Sequence, residues 1–378
     1  MHFEALGLAP YLLDSIKKLD YKSPTPIQEM AIPVILEGKD VLGLAPTGSG
    51  KTAAYALPII QNLQGKTKTK NRHINVLVLV PTRELASQVE VVFRALAQNL
   101  PFPLKSMAVY GGVSINPQMI AMQHVNVLVA TPGRLLELVD SNAMHFEDLS
   151  TLVLDEADKM LNLGFKKEMD RIFVLLPKKR QNLLFSATLS PEVQAVESIL
   201  LKDPTLLQVE APKDSIELIK QTGYYLKAEQ KGPLLRHLIE SNNWQQVLVF
   251  TSSVYQADLV ADKLVKHNIK AKAIHSKKSQ GSRSDSLANF IAGNLRVLVA
   301  TDLLSRGIDI AFLPHVVNYE LPRSPKDFIH RIGRTGRAEN PGDAITFVTE
   351  EDLHHFKVIQ KKMKRWVDMI DADTLDFN

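Results

Sequence analysis

The segment Ala45-Pro46-Thr47-Gly48-Ser49-Gly50-Lys51-Thr52 joins two glycines, a lysine and a hydroxyl in the order of a phosphate-binding loop. The apolar run Val41–Leu44 precedes it and a helical stretch follows. Gly48 and Gly50 let the backbone turn tightly and direct its N–H groups at phosphate oxygens. A helix beginning near Lys51 adds the partial positive charge of its N-terminus. Lys51 is expected to reach the β- and γ-phosphates and Thr52 to ligate Mg²⁺. The candidate nucleotide-binding residues here are Thr47, Gly48, Ser49, Gly50, Lys51 and Thr52. Ala45 stands where the general pattern has its first glycine. A plain glycine-rich turn before a helix is the alternative, and the strand–loop–helix context disfavours it.

Such a loop needs an acidic partner at the end of a nearby buried strand, and Leu152-Val153-Leu154-Asp155-Glu156-Ala157-Asp158 supplies one. Asp155 would hold Mg²⁺ through water. Glu156 could orient and deprotonate an attacking water. An isolated Asp-Glu pair often caps a helix. After three aliphatic residues, in the same half of the chain as the loop, the catalytic reading is the stronger one.

Positioning these groups falls to short apolar runs that alternate with helical stretches. Expected strands are Val41–Leu44, Val76–Val80, Met107–Tyr110, Val127–Ala130, Leu152–Leu154 and Leu183–Phe185, then Val247–Phe250, Ala271–Ile274, Val297–Ala300, Val316–Tyr319 and Ile345–Val348. They are apolar throughout rather than alternating, as in parallel strands buried on both faces. Glu84–Asn99 and Gln256–His267 exemplify the helices between them. The fold class is α/β, each sheet mostly parallel with helices on both faces. Val127-Leu128-Val129-Ala130-Thr131 recurs as Val297-Leu298-Val299-Ala300-Thr301. Val78–Thr82 is echoed more loosely by Val247–Thr251. Two similar domains are expected, 1–208 and 221–378, joined by a polar linker over 209–220.

Composition narrows the class. A length of 378 residues suggests two to three domains at about 150 residues each. The chain is 45% hydrophobic and 23% charged, an ordinary globular balance. Lys plus Arg is 45 and Asp plus Glu is 41, so the net charge is +4, modest for a protein that wraps DNA. The absence of cysteine excludes disulfides, thiolate zinc sites and a cysteine nucleophile. No apolar run approaches the ~18 residues of a membrane span, and no signal peptide is evident, so the expectation is a cytoplasmic protein without membrane contact.

Asp155-Glu156-Ala157-Asp158 resembles the signature of the DEAD-box ATP-dependent RNA helicases, and further motifs appear in that family's order from Phe3 to about Val348. The resemblance implies two tandem RecA-like domains. Tyr21-Lys22-Ser23-Pro24-Thr25-Pro26-Ile27-Gln28 is similar to the Q motif that reads adenine. Gln28 offers a donor and an acceptor to the base, Tyr21 a ring to stack on it, and Phe3 an upstream aromatic that braces the loop. Asp20 stands where the family usually has glycine, which changes the turn but not the stacking group. Pro81–Leu85, Gly111-Gly112 and Thr131–Arg134 look like the RNA-backbone motifs, implying contacts from Thr82, Arg83, Gly112, Thr131, Gly133 and Arg134. Without the family each of these would read as an ordinary loop or helix cap, and Arg83 could instead pair within the protein. Ser186-Ala187-Thr188 resembles the motif that couples ATP chemistry to RNA work, with Ser186 and Thr188 bridging Asp158 towards the second domain. A helix cap before Pro191 is the alternative.

In the second half Thr251, Arg283 and Thr301 would hold the RNA strand, and Asp309 the ribose. His330-Arg331-Ile332-Gly333-Arg334-Thr335-Gly336-Arg337 matches the family consensus. By resemblance Arg334 and Arg337 are arginine fingers for the γ-phosphate, while His330 and Arg331 tie the domains together near the acidic motif. The division of parts implies that ATP and RNA close the two halves, with little RNA sequence preference. The implied ligands are ATP, Mg²⁺ and RNA. The chain is expected to be a monomer that relies on protein partners to find its RNA. Its compact core resembles the bacterial RhlE-type subgroup. A DNA helicase or translocase and an ATP-gated RNA clamp are the competing functions. Glu350–Trp366 reads as an amphipathic helix with Leu353, Phe356, Ile359, Met363 and Trp366 on one face, and its terminal cations as partners of the helix dipole.

Overall fold

The computed structural model describes residues 2–46, 48–65, 70–209, 219–301, 313–336 and 342–377. Thr47, Asp309, Arg337 and most of the expected linker, 210–218, lie outside them. The chain divides into two compact units, Met1–Ala211 and Pro212–Asn378.

In the first unit the strands are β1 Val41–Leu44, β2 Val76–Leu79, β3 Ser106–Val109, β4 Val127–Ala130, β5 Thr151–Leu154, β6 Gln181–Ser186 and β7 Thr205–Gln208. They form one parallel sheet in the order β3-β4-β2-β5-β6-β1-β7. The second unit holds β8 Ile219–Tyr225, β9 Val247–Thr251, β10 Ala271–Ile274, β11 Val297–Thr301, β12 His315–Asn318, β13 Gly342–Val348 and β14 Asp368–Asp371. Its sheet is also parallel, in the order β10-β11-β9-β12-β13-β8-β14. Numbered within each unit, the two orders are identical. The repeated sequence therefore has a structural counterpart: β4 and β11 are both fourth strands, and β2 and β9 both second strands.

The unbroken apolar character of the strands follows from their two buried faces. Val76, Val78, Val127 and Val129 enter one core, together with Ile27, Tyr55 and Phe93. Leu77, Leu79, Leu128 and Ala130 enter another on the opposite face. In the second unit Val247 and Val249 divide from Leu248 and Phe250 in the same way. A sheet covered on both sides leaves only its strand ends to solvent, and ligands bind open α/β sheets at the carboxyl ends.

Three strands escape the apolar pattern. β7 and β14 are edge strands, each with a single neighbour and with exposed positions such as Leu206 and Met369, so they lack a continuous apolar run. β8 alternates Ile219, Gln221 and Gly223 with polar residues. The expected linker is accordingly shorter at its C-terminal end, where Ile219 and Lys220 already pair with β13. The C-terminal helix also differs from expectation. It spans Leu353–Met363 and ends at Lys364, which adopts a left-handed conformation at φ 56°. Trp366 thus leaves the helix and lies exposed, while Phe356 and Ile359 form the buried face.

Candidate active site

Because all strands of the first unit run parallel, six loops that follow β1 to β6 gather along one edge. Strand order then sorts them. The loops after β3, β4 and β2 adjoin on one side and carry Gly111-Gly112, Thr131–Arg134 and Pro81–Glu84. Those after β5, β6 and β1 adjoin on the other and carry Asp155–Asp158, Ser186–Thr188 and the phosphate-binding loop.

Gly50 precedes helix Lys51–Asn62 with φ 91°, a left-handed conformation that glycine adopts without strain. A Cβ there would lie 2.6 Å from Gln28 Nε2. Gln28 occupies that space: its Nε2 donates to the Gly50 carbonyl at 3.1 Å, and its Oε1 accepts from the Thr25 amide at 3.0 Å. Gln28 therefore clasps the phosphate-binding loop to the segment that carries Tyr21. Lys51 Nζ donates to the carbonyls of Ala45 at 2.7 Å and Pro46 at 3.3 Å. Asp20 takes φ 56°, the turn a glycine would make, so its presence leaves the turn intact, contrary to expectation. Phe3 is buried in the core, and Tyr21 is half-buried against it.

Asp155 ends β5 with only 2% of its surface exposed. Its Oδ2 accepts a hydrogen bond of 2.9 Å from the hydroxyl of Tyr55, one turn beyond Lys51 on the phosphate-loop helix. Sequence reasoning missed Tyr55, which resembles any apolar helix residue until the fold aims its hydroxyl at a carboxylate. Burial raises the pKa of Asp155, opposed by the positive charge of Lys51 and the Tyr55 hydrogen bond. The Tyr55 phenol is itself raised well above its ordinary value, first by burial and then by the charge of Asp155. Tyr55→Phe leaves the buried carboxylate without this donor. It is expected to destabilise the first unit by about 1–3 kcal/mol, read as a lower denaturant midpoint with unchanged m-value.

Glu156 adopts φ 53° and caps helix Ala157–Asn162. Its Oε1 pairs with Lys159 Nζ at 2.5 Å, with both side chains buried. Burial raises the Glu156 pKa and the Lys159 charge opposes the shift. Lys159 was also missed, since a lysine after an acidic run ordinarily reads as solvated. Thr188 Oγ1 donates to Asp158 Oδ2 at 3.1 Å, and Ser186 Oγ donates to the Thr188 carbonyl at 2.8 Å. The cap before Pro191 is Ser190. Ser186, Thr188 and Asp158 thus meet within the first unit.

On the other side of the edge, Gly112 adopts φ 75°, and the Arg83 guanidinium lies where its side chain would be. Arg134 is buried: its Nη2 donates to the Val113 carbonyl at 2.7 Å and its Nε to Glu137 at 2.8 Å. Both arginines knit neighbouring loops together. Thr82 Oγ1 caps helix Arg83–Ala97, Thr131 precedes helix Pro132–Asp140 without a side-chain cap bond, and Gly133 has open space around it.

In the second unit Thr251 and Thr301 pair at the carboxyl ends of β9 and β11. Thr251 is buried, with Oγ1 donating to the Ser253 carbonyl at 3.3 Å. Arg283 is buried in the first turn of helix Gln280–Ile291. His330 is half-buried on helix Pro325–Ile332. Arg331 is fully buried, its Nη1 donating to Asn318 Oδ1 at 3.2 Å and to the Glu320 carbonyl at 2.6 Å, over the Phe250 ring. These contacts tie it to β12 and the loop that follows within its own unit. Arg334 follows at 8% exposure, its carbonyl accepting from the Leu313 amide.

This geometry fits nucleoside triphosphate chemistry: a glycine cradle, a lysine held on the loop's own carbonyls, and a buried carboxylate reached from the same helix. Comparison with known proteins decides the family. Residues 25–196 match the DEAD/DEAH box helicase model and 230–339 the helicase conserved C-terminal domain. The ATP-dependent RNA helicase CshA of Limosilactobacillus reuteri is 39% identical over 96% of this chain and 72% of its own length. The chain belongs to the DEAD-box family of ATP-dependent RNA helicases. The ATP-dependent rRNA helicase RRP3 of Gibberella zeae is 39% identical over 95% of this helicase and 73% of its own length. Among solved structures, S. cerevisiae Dbp5 bound to RNA and ADP BeF3 resembles the DEAD-box chain with TM-score 0.85 and 29% identity, over 98% of this chain and 96% of that one.

Proposed function

We propose that this helicase couples RNA-dependent ATP hydrolysis to closure of its two units, locally unwinding short RNA duplexes or remodelling RNA–protein complexes. The observation that carries this reading is the sorting of the first unit's loops into a phosphate and acid half and a backbone-binding half of one edge. Nucleotide and RNA held on adjoining halves are coupled through the shared strands β2 and β5, so each ligand strengthens binding of the other. Thr52 and Asp155 would hold Mg²⁺, which when bound neutralises phosphate charge. Lys51 binds the β- and γ-phosphates, Glu156 activates the attacking water, and Arg334 and Arg337 stabilise the charge that develops on the γ-phosphate. Arg283, Thr301 and the loops bearing Thr82, Gly112 and Thr131 contact the RNA backbone, with little sequence preference. Among the described residues no helix is long and apolar enough to cross a membrane. We place the protein in the cytoplasm, acting as a monomer that protein partners direct to RNA.

RNA should stimulate ATPase activity, and ATP should drive displacement of a short RNA strand. Stimulation by duplex DNA but not by RNA would overturn the assignment in favour of a DNA translocase.

Base selection gives a second test. Tyr21→Ala or Gln28→Ala should reduce the preference for ATP over GTP by about tenfold, the value of one good hydrogen bond or stacking contact. An unchanged ratio of the two nucleotide affinities would mean that adenine is read elsewhere.

A further inference from the structure

The exposed end of the C-terminal helix offers a basic and aromatic surface that the helicase motifs do not use. Lys361, Lys362, Lys364 and Trp366 are all exposed, and Trp366 has 72% of its surface in solvent. The segment is anchored on either side. The Arg365 amide donates to the Gln360 carbonyl at 3.2 Å, Arg365 Nη2 donates to the Ile219 carbonyl at 3.2 Å, and the Val367 amide donates to Gln360 Oε1 at 2.8 Å. Val367 is buried, so the alternation of the chain holds the indole outward.

β14 pairs with β8 in the register Asp368 to Thr222. Trp366 and Lys220 each lie two residues before that first pair, and Lys220 is also exposed. Four exposed lysines thus lie on the two segments that carry or flank the exposed indole, against nearby Asp368 and, across β8, Asp343. Lys364 and Arg365 lie beyond the last helical residue, Met363.

The position is informative. The patch precedes parallel strand β14, so it sits at the amino-terminal edge of the second sheet. Thr251 and Thr301 end strands at the opposite edge. β13 spans seven residues between these edges, about 20 Å of strand. We propose that Trp366 with Lys220, Lys361, Lys362 and Lys364 forms an auxiliary binding site for single-stranded RNA, at the edge of the second sheet opposite Thr251 and Thr301. The indole stacks on a base and the ammonium groups contact flanking phosphates, a combination that binds single strands without sequence preference. The proposal rests on the RNA helicase reading above and gives the motor a means of staying on a long RNA while the helicase motifs release it.

The test uses the whole chain with single-stranded RNAs of about 8 and about 30 nucleotides, titrated by fluorescence anisotropy. Trp366→Ala, and separately the triple variant Lys361→Ala, Lys362→Ala, Lys364→Ala, should weaken binding of the long RNA by about tenfold or more. Both should bind the short RNA normally and keep its maximal ATPase stimulation. Trp366→Tyr should retain most of the long-RNA affinity, and the triple variant should show a shallower salt dependence on long RNA. Trp244 is buried and stacked on His315, so in a Trp244→Phe background the emission reports Trp366 alone. Long RNA should quench it and short RNA should not. Equal weakening on both RNAs, or no weakening and no quenching on the long one, overturns the auxiliary site. If short RNA fails to bind or to stimulate the unmodified chain, it is the helicase reading that fails.

Discussion

Replacing Arg334 by alanine should lower ATP turnover by about 10³–10⁵-fold while leaving nucleotide affinity within a few-fold. The reason is the timing of charge. In the proposed mechanism the backbone cradle around Gly50 and Lys51 would already hold the ground-state phosphates, whereas a guanidinium at the γ-phosphate would matter most as the P–O bond breaks. The Arg334 backbone is held within its own unit: its amide donates to the Arg331 carbonyl, and its carbonyl accepts from the Leu313 amide. Single-turnover hydrolysis with saturating RNA, alongside titration of a fluorescent nucleotide, separates rate from affinity. Arg334→Lys should remain strongly impaired, because an ammonium cannot reproduce the planar bidentate fork. An unaltered rate in the alanine variant would remove Arg334 from the reaction.

Glu156→Gln should slow hydrolysis by about 10²–10⁴-fold with ATP and RNA binding retained. Glutamine keeps an acceptor for the Lys159 ammonium and preserves the volume of the buried side chain, so the left-handed turn at Glu156 and the helix it caps persist. It cannot accept a proton from the attacking water. The variant should therefore accumulate as a complex with ATP and RNA, detected as slow RNA release in the presence of ATP. Turnover near that of the unmodified chain would show that another group activates the water. Lys159 adds a structural reason for the sensitivity of this position, because its buried ammonium needs the acidic or amide oxygen that residue 156 provides.

Local chemistry explains what could be read from the chain alone. A cradle for phosphate must be contiguous, since consecutive backbone amides have to converge on one anion, and Thr47 to Thr52 carry it in their order alone. The same holds for Asp155 and Glu156 at the end of an apolar run. Strands buried on both faces advertise themselves by unbroken aliphatic stretches, which is why Val41–Leu44 and Val127–Ala130 match the observed limits. Edge strands do not. Asp368–Asp371 is covered on one side only, and two of its four residues are acids.

Residue types and spacing by themselves determined the phosphate loop, the acidic motif, the α/β class and the duplication of the fold. Tertiary structure alone decided the strand order that parts the loops bearing Lys51, Asp155 and Ser186 from those bearing Thr82, Gly112 and Thr131, and the destination of each polar side chain. Tyr55 finds Asp155 a hundred residues away, Gln28 finds Gly50, Arg134 finds Val113, and Arg331 finds Asn318 and Glu320. Hydrogen-bond partners are set by which loops neighbouring strands bring together, and that adjacency arises from burying both faces of a sheet, a global condition that no short window of sequence contains.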